Sequence, residues 1–367
     1  MLRERVKRQF VKQLKRLFVD GVAIDLGTVN TLVYTPKQGI VLNEPSAIAV
    51  NKYNNQVMAV GREAIALLGR EPLDTVVHRP MREGTIANYE MAEKMLHEFL
   101  RRVGVHRRGR LLQAVAGTPS LATGVERRAL KAAARGIGAQ WISLVEEGLA
   151  AALGSGVIQD TKEARMVVDI GGGTTNVTIA SSSGVIHTTS LRVAGNEMNQ
   201  AVSEVILRKY RLLIGEQTAE AVKIQLGAAQ EYSDERTMVV VGKSFPEFVV
   251  KEITLNAGEV VQALDRSVQA IVNGVRAAIE QAAPNVAVDI YCSGITLTGG
   301  GALLCGLAPR MSRELELPVQ VAERPLEAVV VGAGHLIGNE TLLSRYQLRE
   351  ETLEWEVAET PGYILAN

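Results

Sequence analysis

Apolar and polar positions alternate between two periods along the chain. From 21 to 50, short apolar runs such as Ile40-Val41-Leu42 and Ala47-Ile48-Ala49-Val50 are broken by Gly, Asn and Asp, which predicts strands joined by tight turns. Residues 57–70 change to a short strand and a helix, Arg79-Pro80-Met81 reads as a loop, and Tyr89–Val103 as a helix. Leu111–Gly117 is an apolar strand closed by Thr118-Pro119-Ser120. Gly124–Ala134 reads as helical, and Ser143-Leu144-Val145-Glu146-Glu147 leads into a small-residue helix, Leu149–Leu153. Strand patterning returns at 166–187. Helices are predicted at Asn196–Leu213, Gln217–Leu226 and Val260–Gln281, with an alternating hairpin at 236–255 whose turn falls near Gly242. Tyr291–Leu297 reads as a strand and 327–338 as a helix carrying Gly332-Ala333-Gly334. Strands interleaved with helices predict an α/β fold, compact between about 21 and 340.

One motif occurs twice. Near the start it reads Ala23-Ile24-Asp25-Leu26-Gly27-Thr28-Val29-Asn30-Thr31, running on to Gly39-Ile40-Val41. At mid-chain it reads Val168-Asp169-Ile170-Gly171-Gly172-Gly173-Thr174-Thr175, running on to Gly184-Val185-Ile186. Each copy is a strand, an Asp, a Gly/Thr turn, a second strand, another turn and a third strand. A lone Asp-X-Gly after a strand is ordinarily a hairpin turn. Two copies in the same register point instead to paired domains facing each other across a nucleotide. Backbone N–H groups of such turns cradle phosphate, and a neighbouring Asp holds hydrated Mg²⁺ directly or through water. Neither copy is a P-loop or a Rossmann fingerprint, because a strand follows each turn. A third turn, Gly299-Gly300-Gly301, lies at a strand end, where glycine lets the backbone approach a base or ribose.

At 367 residues the chain has room for two domains. Its 47% hydrophobic and 22% charged content fits a packed core, and 4% aromatic content leaves aliphatic residues to fill it. A net charge of zero argues against a general nucleic-acid binder. Cys292 and Cys305 make no disulfide framework, which points to a reduced, cytosolic setting. No apolar run is long enough to span a membrane. The ends are oppositely charged. Residues 1–16 carry Arg3, Arg5, Lys7, Arg8, Lys12, Lys15 and Arg16 against Glu4. From 340 onward stand Glu340, Glu350, Glu351, Glu354, Glu356 and Glu359 against Arg345 and Arg349. Residues 2–18 place Leu2, Val6, Phe10, Val11, Leu14, Leu17 and Phe18 on one half of a helical wheel and most of the basic groups on the other. That pattern suits an anionic membrane surface; a terminal helix packed on its own domain and an arm for a protein partner are the alternatives. Arg101, Arg102, Arg107, Arg108 and Arg110 form a second basic cluster.

These motifs together resemble the actin, sugar-kinase and heat-shock-chaperone ATPase superfamily, and within it the MreB family of bacterial actin homologues. The resemblance covers about 21–340. It rests on Ile24-Asp25-Leu26-Gly27-Thr28, Gly39-Ile40-Val41-Leu42-Asn43-Glu44-Pro45-Ser46, Arg79-Pro80-Met81 and Gly124-Val125-Glu126-Arg127-Arg128. It continues through Asp169–Thr175, Arg192-Val193-Ala194-Gly195, Lys209-Tyr210, Leu212–Glu216 and Leu297–Gly301. It implies an actin-like ATPase fold: two related α/β domains, 21–160 and 161–340, around a nucleotide cleft. Each has a smaller subdomain, at about 47–79 and 195–255. A basic helix at 1–20 and an acidic tail at 341–367 flank them.

The resemblance also implies roles. Asp25 and Asp169 would hold Mg²⁺ through water. Gly27, Thr28, Val29, Asn30, Gly171, Gly172, Gly173 and Thr174 would wrap the phosphates of ATP. Glu220 and Lys223 would line the adenosine pocket with Gly299, Gly300 and Gly301, and Glu147 would orient the attacking water. For Glu147, a carboxylate placed to suit a helix N-terminus is the competing reading. The implied activity is a filament-forming ATPase on the inner face of the cytoplasmic membrane, organising cell shape and cell-wall synthesis. The implied partners are other copies in paired protofilaments, an anionic membrane bound through 2–18, and membrane-embedded cell-wall synthesis proteins, with no nucleic acid. Rival readings are a divergent filament for plasmid or organelle positioning, a non-polymerising ATPase or small-molecule kinase of the superfamily, and a chaperone ATPase. The chain departs from the family at Gly148, where Pro is common, and at Asn88, Asn176, Asn196 and Asn199, where Asp or Glu is common.

Overall fold

The structure, a computed structural model, describes residues 19–104, 111–120, 122–158, 162–230 and 235–348. The helix expected at 2–18, the basic positions Arg107, Arg108 and Arg110, and the acidic stretch from 349 lie outside these residues.

The sequence repeat becomes two sheets of one topology. In the first, Val19–Leu26, Asn30–Thr35 and Gly39–Pro45 form an antiparallel meander, and Leu111–Thr118 and Ala139–Glu146 add in parallel beyond the first strand. In the second, Arg165–Ile170, Thr175–Ser181 and Gly184–Leu191 form the meander, and Ile295–Thr298 and Val319–Val321 add in parallel at the equivalent edge. Leu112, Ala114, Val115 and Ala116 in the first sheet and Val167, Val168, Ile295 and Leu297 in the second are buried, as parallel pairing under helices requires.

Each half carries a small three-stranded sheet. One joins Val57–Val60, Ile48–Asn51 and Thr75–His78; the other joins Leu212–Leu213, Thr237–Ser244 and Val250–Asn256. Two short helices, Glu147–Gly154 and Ala328–Leu336, share one apolar cluster with residues of both large sheets, including Ala23, Val115 and Val145 from the first and Val167 and Ala180 from the second. Their crossing is made by small residues. A Cβ on Gly332 would lie 1.8 Å from the Ala150 carbonyl oxygen, and one on Gly154 would lie 1.9 Å from that of Ala328. Among the described residues no helix is long and apolar enough to cross a membrane.

Four expectations change. The helix over Asn196–Leu213 is Gly195–Tyr210: Arg211 turns left-handed at φ 52°, and Leu212–Leu213 leaves as a strand with Leu212 buried. Gly242 is not the hairpin turn. It pairs with Lys251 within the strands, and the chain reverses between Ser244 and Val249. Its glycine is required because a Cβ would lie 2.5 Å from the Leu213 carbonyl oxygen of the neighbouring strand. Tyr291 belongs to a helix, Pro284–Ser293, begun by proline at its first turn and followed by Gly294 at φ 75°; the strand is Ile295–Thr298. Finally, packed chain extends beyond 340. The helix Glu340–Tyr346 buries Tyr346, Gln347 bridges to Val145, and the Leu348 N–H donates to Leu144 O at 2.8 Å.

Candidate functional site

The two Gly/Thr turns meet tip to tip. A Cβ on Gly172 would strike the Val29 side chain, and one on Gly173 would lie 2.7 Å from Thr28 Oγ1, so only glycine backbone fits between the turns. Each turn is fixed from behind. Ser46 N–H donates to Val29 O at 2.8 Å, and Ser46 Oγ donates to Gly27 O at 2.6 Å. In the second turn Gly171 N–H donates to Thr174 O at 2.9 Å, and Asn196 N–H donates to Gly172 O at 2.8 Å. A third hairpin, Met81–Arg82 with Thr85–Ile86, leans over the junction and donates from Gly84 N–H to Thr28 Oγ1 at 2.8 Å. The two turns and this hairpin thus form one junction between the halves.

Three carboxylates share this centre. Asp25 and Asp169 stand near the ends of the equivalent strands, and Glu147 opens the helix Glu147–Gly154. Burial pushes Asp25 up to about 7, with the Asp169 charge adding to it. Burial pushes Asp169 up to about 6, against a hydrogen bond from Thr298 Oγ1 at 2.8 Å that favours its anion. Glu147 is raised well above the ordinary carboxylate range by burial and by the charges of Asp25 and Asp169, opposed by a hydrogen bond from Asn176. Three anions held this close and this dry are a poor arrangement by themselves and a good one around a cation. Among the described residues no group of three or more His, Cys, Asp or Glu side chains is placed to hold a metal ion. Two buried carboxylates facing one centre have the oxygen-donor chemistry that a hydrated Mg²⁺ takes. Beside Glu147, a cavity of about 20 Å³ bounded by Leu26, Gly117, Glu126 and others has room for a single water. A larger cavity, about 500 Å³, lies away from this chemistry beneath Phe245, Pro246 and Glu247.

Glu220 and Lys223 lie on the helix Glu216–Leu226, 3.6 Å apart, and Lys223 Nζ donates to Gly195 O at 3.2 Å beside the second turn. Burial lowers the Lys223 pKa, against the Glu220 charge that raises it. Gly299 has φ 79°, and Gly299 and Gly301 both press on Ile170, the residue between Asp169 and Gly171. Lys223 and the third turn thus both flank the second turn, though from different elements. Asn30 opens the second strand of the first hairpin.

The sequence singled out Gly148, Asn176 and Asn199 as departures from the family without giving their contacts. Asn199 Nδ2 donates to Glu220 at 3.0 Å, and Asn176 Nδ2 donates to Glu147 at 3.1 Å. Gly148 lies against Thr178, leaving no room for a Cβ. Asn176 faces Asp169 in the strand register, which brings it to the carboxylates.

A duplicated sheet with opposed Gly turns and helices wedged between the halves is an actin-like fold. Two structures of MreB5 from Spiroplasma citri match with TM-scores of 0.81 (bound to ADP) and 0.82 (bound to AMPPNP). Each is 32% identical, covering 86% of this chain and 95% of that one. A MamK double helical filament matches in fold alone, at a TM-score of 0.73 and 19% identity over 87% of this chain and 98% of that one. The family model described as MreB/Mbl protein matches residues 19–345. The cell shape-determining protein MreB of Escherichia coli K12 is 41% identical over 332 residues, 88% of this chain and 95% of that protein. The cell shape-determining protein Mbl of Bacillus subtilis 168 is 37% identical, over 90% of this chain and 100% of that protein. The chain belongs to the MreB/Mbl family.

Proposed function

We propose that this chain is an ATP-dependent, filament-forming bacterial actin bound to the inner face of the cytoplasmic membrane, where it organises cell shape and cell-wall synthesis. The observation that carries the reading is the tip-to-tip meeting of the two Gly/Thr turns above Asp25, Asp169 and Glu147. The names of its relatives and the nucleotides bound to MreB5 support the same reading.

In this reading residues 21–160 and 161–340 act as two domains, with smaller subdomains at about 47–79 and 195–255. Gly27, Thr28, Val29, Asn30, Gly171, Gly172, Gly173 and Thr174 hold the phosphates of ATP through backbone and hydroxyl donors. Glu220, Lys223, Gly299, Gly300 and Gly301 hold the nucleoside. Asp25 and Asp169 would hold Mg²⁺ through its waters, and the ion would supply neutralisation of the phosphate charge. Glu147 aligns the attacking water with the γ-phosphorus. Residues 2–18 bind anionic lipid weakly in each copy, and paired protofilaments sum these contacts into stable attachment. Membrane-embedded cell-wall synthesis proteins are the partners this location serves.

The test is negative-stain electron microscopy of the purified protein with anionic vesicles, with and without Mg-ATP. Nucleotide-dependent filaments lying on the lipid are expected. Dispersed monomers under every condition would overturn the filament reading. Deleting residues 2–18 should abolish vesicle co-sedimentation while leaving nucleotide binding intact; retained co-sedimentation would remove the anchor.

A further inference from the structure

We propose that Asn176 is the positioning residue for Glu147, holding its carboxylate by a hydrogen bond from a neighbouring strand; this rests on Glu147 being the water-aligning group. Asn176 lies in the strand Thr175–Ser181, is 1% exposed, and donates from Nδ2 to Glu147 Oε2 at 3.1 Å. Its other polar atom, Oδ1, is buried with no hydrogen-bond partner in the protein. Its amide donor is directed to that one carboxylate.

The surrounding packing makes that donor reach its target. Gly148, next to Glu147, has no room for a Cβ against Thr178 Oγ1, so the helix start lies directly on the strand carrying Asn176. Thr178 Oγ1 in turn meets Thr188 Oγ1 at 3.1 Å, and Thr188 meets Ser120 Oγ at 2.7 Å, which ties that strand to the first half of the molecule. Glu147 opens its helix next to Glu146, whose side chain makes no capping hydrogen bond. Asn176 supplies the side-chain hydrogen bond that fixes it. An Asp here would set a further anion against Glu147, beside Asp25 and Asp169; the amide replaces that repulsion with attraction. A carboxylate that must align a water in line loses rate steeply when it drifts.

The test is steady-state phosphate release from Mg-ATP by the full chain and its variants, with affinity for a fluorescent ATP analogue measured in parallel. Asn176→Ala should lower kcat about tenfold with KM and analogue affinity unchanged, the size expected for a hydrogen bond to a charged group. Asn176→Asp, the same shape without the donor, should lower kcat at least as far. Glu147→Gln should lower kcat further still. In the Glu147→Gln background Asn176→Ala should cost less than twofold, because its effect passes through Glu147. Losses that multiply in the double variant, or an Asn176→Asp protein that binds nucleotide and hydrolyses at the parent rate, would overturn the proposal. No hydrolysis by the parent, or full hydrolysis by Glu147→Gln, would refute the reading of Glu147 and this proposal with it.

Discussion

The crossing of Glu147–Gly154 with Ala328–Leu336 offers a sharp test of how packing controls the site. Gly332→Ala adds one methyl group 1.8 Å from the Ala150 carbonyl oxygen. Real Cβ atoms stay at least 3.0 Å from such neighbours, so the two backbones must part by about 1.2 Å. Neither side of the contact is a flexible side chain. Overpacking of this kind costs ~1–3 kcal/mol, and a backbone-on-backbone clash belongs at the upper end. Alanine recovers up to ~1 kcal/mol through helix propensity and a less disordered unfolded chain. The net is a loss of about 2 kcal/mol, or roughly 4–8 °C in thermal midpoint. Ala150 and Glu147 share a short helix, so the same displacement moves the carboxylate by about an ångström and should lower hydrolysis up to ~100-fold. Thermal unfolding by circular dichroism and phosphate release would be measured beside Gly258→Ala. Gly258 lies in the helix Ala257–Glu280, and its nearest neighbour would stand 3.4 Å from the new Cβ, so that variant should hold or raise the midpoint. A Gly332→Ala protein as stable and active as Gly258→Ala would refute the reasoning.

Three further outcomes follow from the site. Asp25 and Asp169 are raised to about 7 and about 6, so with neither metal nor nucleotide their contribution to stability is full below about pH 4 and is lost as pH climbs through 6 to 7. In EDTA the melting temperature should therefore fall between about pH 4 and pH 7, Mg-ATP should flatten the slope, and Asp25→Asn should raise the midpoint at pH 8; a flat EDTA profile would contradict this. Arg79 pairs with Glu216 while Gln217 Nε2 donates to Ile65 O at 3.0 Å, joining the parts that carry the two small sheets. Arg79→Ala should speed release of a fluorescent ADP several-fold, and an unchanged rate would show that the pair does not hold the nucleotide in. Gly148→Ala should destabilise by ~1–3 kcal/mol and be rescued by Thr178→Gly but only in part by Thr178→Ala, since both Oγ1 (1.9 Å) and Cβ (2.7 Å) of Thr178 stand in the way; denaturant titration of the single and double variants reads the coupling.

Much of the fold was legible because the chain repeats itself. Asp25 and Asp169, each followed by a Gly/Thr turn and two strands, are enough to foresee two equivalent sheets. Long amphipathic stretches such as Tyr89–Arg102 and Ala257–Glu280 also read correctly, because burial on one side imposes their period. Short apolar stretches did not. Pro284–Ser293 is too brief to display helical period, so Tyr291 read as part of the strand that follows it. Gly242 misled in another way: it permits close approach of the next strand, not a reversal, and the two uses look alike in sequence. Within the site, the positions of Asp25, Asp169 and Glu147 were readable from motif and resemblance. The hydrogen bond from Asn176 to Glu147 was not, because it joins residues 29 apart in sequence through the packing of a helix on a strand.

The short helix Glu340–Tyr346 has a mechanical consequence. Arg345 Nη1 and Tyr346 Oη both donate to Ser182 O, in the turn between strands of the second sheet, at 3.0 and 2.8 Å. One residue later, Gln347 bridges to Val145 at the edge of the first sheet, and Leu348 follows on Leu144. A pull on the chain beyond 348 is therefore shared at once by both halves. A fluorescent fusion or a tether attached there would load both halves at once, whereas the same cargo inserted at an exposed loop of one half would ride on that half alone.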